Sequence, residues 1–175
     1  MKVRVWAIVL AALAFVDNFI CFAFPVDFQY QQFSYVPHLC FLMLILVVMD
    51  MDMQDRMLIG MTCGLLTDLF MTNSLPIHMI LYTFLTGFVG LIPFRKDVVE
   101  RFLVCLGMLV LVEVLPFIWF SLSGRMNVSF SKWALYFGMK SFIINGIAAL
   151  ALIYLKELLD RWITLREHRK INQTA

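Results

Sequence analysis

Gly60-Met61-Thr62-Cys63-Gly64-Leu65-Leu66-Thr67-Asp68 is the stretch that decides the fold. It lies inside an apolar run, one of six that are long enough or nearly long enough to cross a bilayer. An Asp in such a run costs roughly 2.5–3.5 kcal/mol on insertion scales. Gly60, Gly64 and Asp68 stand at i, i+4 and i+8, so they share one helix face with Thr67 beside them. Small residues at that spacing let a neighbouring backbone approach closely. The Asp is therefore expected to face protein rather than lipid.

The rest of the 175-residue chain agrees with a membrane reading. Its hydrophobic content is 62%, well above the roughly 45–50% of soluble domains, with a mean hydropathy of +0.88. Spans are expected at about 5–24, 34–50, 56–72, 75–94, 100–122 and 132–156. The second and third are short for a hydrocarbon core of about 30 Å and need thinning, snorkelling or shelter. The expected fold is all-α: a single bundle of six transmembrane helices over residues 1–156, followed by a basic tail over 157–175. The N-terminal apolar run resembles a signal peptide, but its length makes it a first span. Cys21 lacks the preceding small residue of a lipoprotein site. Four dispersed cysteines with no Cys-x-x-Cys are read as inert thiols.

With these spans, the alternate connections divide eleven Lys and Arg on one side against two on the other. The positive-inside rule then puts both termini in the cytoplasm. The tail continues the last helix with mixed charges and Trp162. It is read chiefly as a topology-fixing element along or below the cytoplasmic surface, with a partner-docking helix as the other possibility.

Depth groups the intramembrane polar residues. Asp17, Asp68 and Glu113 each stand about 12 residues, or roughly 18 Å, beyond the inner end of an outward-running helix. Lys140 lies about 12 Å down from the outside on the last helix. Asn145 is deeper, with Gly146 after it. Four unpaired charges in one layer would cost on the order of 10 kcal/mol. Lys140 is therefore expected to pair with one or two of the acids, leaving the other protonated or reached by water. Asn145 is expected to hydrogen-bond between helices, and His78 to be interfacial. Pro116, one turn beyond Glu113, is expected to open space beside the acidic layer.

Other chemistries are not supported. Asp50, Asp52 and Asp55 lack the Gly and Glu of a calcium loop and read as a solvated turn. No nucleophile set, phosphate-cradling loop or His pair is visible, so no enzyme, metal, cofactor or nucleic-acid partner is expected. The lipid bilayer itself is the solvent.

The run Gly-x-x-x-Gly-Leu-Leu-x-Asp-Leu over 60–69, the segment Leu81-Tyr82-Thr83-Phe84-Leu85-Thr86-Gly87-Phe88-Val89-Gly90 and Asn145-Gly146 resemble the MreD family of bacterial rod shape-determining proteins. The resemblance implies a non-enzymatic subunit of the lateral wall-elongation machinery in the plasma membrane. It would bind the single-span protein MreC and connect MreB filaments with RodA and a class B penicillin-binding protein. Candidate docking grooves are the Gly60–Gly64 face and Ala7-x-x-x-Ala11 on the first helix. The alternative is the substrate-binding subunit of an energy-coupling-factor vitamin transporter, which is similar in helix number, in length and in the depth of its binding site.

Overall fold

A computed structural model of the chain describes residues 2–25, 35–71, 76–92 and 97–174. The aromatic first connection (26–34), the turn at 72–75, and Arg95 and Lys96 lie outside the described residues. Among the described residues the chain is all helix: α1 (Lys2–Ala23), α2 (Leu39–Val48), α3 (Met53–Met71), α4 (Ile77–Val89), α5 (Val98–Leu122) and α6. The last, α6, starts as Phe130–Trp133, passes through a π-helical stretch at Ala134–Gly138, and continues as Met139–Thr174. Among the described residues, three helical stretches are long and apolar enough to cross a membrane: Arg4–Ala23, Val98–Leu122 and Phe130–Arg166.

At the centre lies α2. From Cys40 to Val48 none of its residues is more than 3% exposed. A helix apolar on every side has no solvent face to choose and becomes the axis that others surround, here α1, α3, α4, α5 and α6. It has only 10 residues, roughly 15 Å, half of a hydrocarbon core. The 13-residue α4 reaches about 20 Å. Shortness was expected of the second and third spans. It falls on α2, as expected, and on α4 in place of α3, because Gly90 and the turn behind it end α4 early, whereas α3 runs for 19 residues.

The tightest pairing is α3 with α4. A Cβ on Gly60 would collide with Thr86 and the Tyr82 carbonyl, and one on Gly64 with the backbone of His78 and Met79. Reciprocally, Gly90, just past the end of α4, leaves room for the Arg56 guanidinium of α3. Lipid tails are as apolar as Leu, so burying Leu against a neighbour gains little. Close backbone approach and polar satisfaction are what hold this hairpin together.

The last span was expected to end near 156. As expected, the tail continues its helix, which runs on to Thr174. No Gly or Pro follows Gly146 in this segment, and Lys156 pairs with Asp160 one turn on, at 3.1 Å.

Candidate functional site

Short helices inside a membrane create a specific difficulty. Their first N–H groups and last carbonyls have no intrahelical partner, and no water is available to replace one. The buried polar layer of this protein meets that need at both short helices.

Asp17 of α1 reaches the start of α2. Its Oδ1 accepts from the Leu39 N–H at 3.1 Å and its Oδ2 from the Cys40 N–H at 2.8 Å. Asp68 of α3 does the same for α4: Oδ1 accepts from the His78 N–H at 3.1 Å and Oδ2 from the Met79 N–H at 2.8 Å. In both helices the two captured amides belong to the second and third residues after a proline, Pro37 and Pro76. Each carboxylate is thus a non-local N-cap, and the positive end of the helix dipole faces it. The hairpins α1–α2 and α3–α4 share one device.

Asn145 extends the first cap. Its Oδ1 accepts from the His38 N–H at 3.0 Å and from the Tyr35 hydroxyl at 3.2 Å, and its Nδ2 donates to the Val36 carbonyl at 2.9 Å. Ser141, one turn earlier on α6, donates to Glu113 of α5 at 2.6 Å. Glu113 Oε1 also lies 4.0 Å from His38 Nε2. At the opposite end of α2, Arg56 donates to the carbonyls of Met51 and Met49, at 2.5 and 3.3 Å. Side chains from α1 and α6 hold the start of the central helix, and Arg56 of α3 holds the turn that follows its end.

The two capped ends share a cavity of about 20 Å³ bordered by Asp17, His38, Thr67, His78 and Tyr82. That volume suits about one water molecule. The His78 ring Nδ1 lies 2.8 Å from Asp68 Oδ1, so the imidazole orients the carboxylate that caps its own helix.

Asp17, Asp68, Glu113 and Asn145 are all buried, and a histidine stands beside two of the acids, His78 at Asp68 and His38 at Glu113. Lys140 does not join them as expected. Among the described residues, no ion pair connects it to Asp17, Asp68 or Glu113. Its ammonium lies 5.9 Å from the ring centroid of Tyr136, one turn earlier. The cause is helical rotation: Ser141 and Asn145 face inward, and Lys140 is turned about 100° from Ser141. The acids are compensated by amides, an imidazole and a hydroxyl, not by the lysine.

His38, His78 and Ser141 are members of the site that sequence reasoning missed or placed elsewhere. Ser141 was legible as the i−4 neighbour of Asn145 on one helix face. The histidines carried no local signal, because their partners come from other helices.

Of the two small-residue grooves, the Gly60–Gly64 face is filled by α4. Ala7 is exposed and Ala11 half-buried on the outer face of α1, bordered by the exposed Ile8 and Phe15. Space does open at Pro116, on the side away from the polar layer. There an apolar cleft of about 590 Å³ lies between α4 and α5, lined by Ile80, Phe84, Pro116, Trp119 and Leu122.

A family model described as rod shape-determining protein MreD matches residues 2–162 of the chain. No curated protein and no solved structure matches it.

Proposed function

This chain belongs to the MreD family, membrane proteins with a role in rod shape determination, and on that premise we propose that it is a non-enzymatic docking platform for a partner transmembrane helix. The partner is a single-span protein of the MreC type. Through it the platform links cytoplasmic MreB filaments to peptidoglycan synthesis by RodA and a class B penicillin-binding protein. It does so as a six-span protein of the bacterial plasma membrane with both termini in the cytoplasm.

The observation that supports docking is the division of labour between the two grooves. The glycines of α3 are consumed by α4, and Asp17 and Asp68 by helix ends. The Ala7–Ala11 pair remains on the outer side of α1, with Ala7 exposed and Ala11 half-buried. Small residues at i and i+4 permit the close helix approach on which association in lipid depends. Vitamin transport is less well supported. A ligand of that size needs a pocket of about 300 Å³ or more, and the cavity between the two capped helix ends is about 20 Å³ and that beside Glu113 about 180 Å³.

The test is co-purification with the MreC-type partner in detergent. The doubly substituted Ala7→Leu/Ala11→Leu protein should lose most of the bound partner while keeping its monodisperse elution and melting temperature. An Ile80→Trp change, which fills the α4–α5 cleft, should leave binding unchanged. The opposite pattern would move the docking face to the cleft. Failure of the unsubstituted protein to bind would end the reading.

A further inference from the structure

The second half of α6 has two unlike faces. One packs on the bundle: Ile163 is 1% exposed, Lys156 is buried, and Leu159 is partly buried. The other carries Leu155, Leu158, Trp162 and Leu165, and Leu158 and Leu165 are 67% and 58% exposed. Their spacing of three, four and three is that of the a and d positions of a heptad.

Lipid tails do not account for this stripe. A belt of charge closes the apolar region at this end of the bundle. Lys156 Nζ pairs with Asp50 at 2.8 Å and with Asp160 at 3.1 Å, and Arg101 pairs with Glu157 at 3.8 Å. Leu165 lies nine residues past Lys156, about 14 Å along the helix. Because α6 is continuous from Met139 to Thr174, the stripe runs away from the belt along the helix axis rather than turning into the bilayer plane.

Charge selects what covers it. Glu157 and Asp160 are turned toward the bundle by their ion pairs. The exposed Arg161 and Arg166 flank the stripe at the positions equivalent to g and e. The Arg166 guanidinium stacks 3.9 Å above the Trp162 ring, which leaves its N–H edge directed outward for a carboxylate. Two copies of this chain in one membrane run parallel, and a parallel pair would set Arg161 of each against Arg166 of the other. The pattern disfavours self-pairing and fits an acidic partner.

We propose that this face of α6 is a docking surface for a helix of another protein whose apolar stripe is flanked by Glu or Asp. It is separate from the Ala7–Ala11 face, and neither depends on the other.

The probe is a fluorescent three-heptad peptide with Leu at a and d and Glu at e and g, titrated against the full chain in phosphatidylcholine nanodiscs. A second peptide carries Lys at e and g. Anisotropy should show the Glu peptide binding at least about tenfold more tightly than the Lys peptide. Arg161→Glu/Arg166→Glu should invert that preference, and Leu158→Asp/Leu165→Asp should abolish binding of both. Both side-chain sets are exposed, and an unchanged melting temperature certifies each variant. Failure of both peptides to bind, or a preference that does not invert, overturns the proposal. Two further results overturn it in favour of other occupants. Loss of Glu-peptide binding in phosphatidylglycerol nanodiscs, with Trp162 quenched by brominated lipid, identifies the membrane surface. Efficient disulfide cross-linking of Leu158→Cys between copies identifies a second copy.

Discussion

Asp17 and Asp68 each hold two backbone amides with two oxygens, and that stoichiometry is why a carboxylate stands in each place. An amide side chain has one acceptor oxygen and would turn its NH₂ toward the second N–H. Asp17→Asn or Asp68→Asn should therefore destabilise the protein by about 1–3 kcal/mol, the penalty of one buried donor left unsatisfied. A lowered melting temperature in detergent would report it. An unchanged melting temperature in both variants would mean that the starts of α2 and α4 are satisfied by other groups. At this scale the cost of an intramembrane acid was legible in the sequence, and so was its inward orientation. Its partner was not: Lys140 was the only Lys or Arg well inside an expected span, but backbone amides compete for the carboxylates with shorter, fixed geometry.

Glycines show at the level of elements what single positions do not. Gly64 of α3 has the backbone of His78 and Met79 against it, whereas a Cβ on Gly107 of α5 would meet nothing within 4 Å. Gly64→Ala must push α4 away, at a cost of about 1–3 kcal/mol for overpacking. Gly107→Ala should be neutral or gain up to about 1 kcal/mol in helix propensity. Comparing the two melting temperatures separates contact from propensity, and equal shifts would refute the contact. The same contrast explains the helix lengths. Periodicity and hydropathy located all six helices, but the ends of α2 and α4 moved inward. Hydropathy measures compatibility with lipid and not helix ends: Pro37 and His38 are buried in protein before α2 starts, and α4 gives way to the turn at Gly90.

The whole molecule is organised around a ten-residue helix that cannot cross a bilayer alone. Its enclosure by five others makes a short, all-round apolar element tolerable. Eleven Lys and Arg against two across alternate connections predict that fluorescent-protein fusions at either terminus fold and emit in the cytoplasm. An alkaline phosphatase active at either terminus would reverse that topology. By itself the sequence determined the all-helical membrane class, the burial of the acids and the small-residue face of α3, because each follows from the free energy of placing a residue in hydrocarbon. Only the tertiary structure decided which groups the acids hold, that α4 consumes the glycine groove, and that the last helix presents an arginine-flanked stripe. Those outcomes depend on which helices are neighbours, and hydrocarbon solvation, nearly the same for every apolar face, does not encode it.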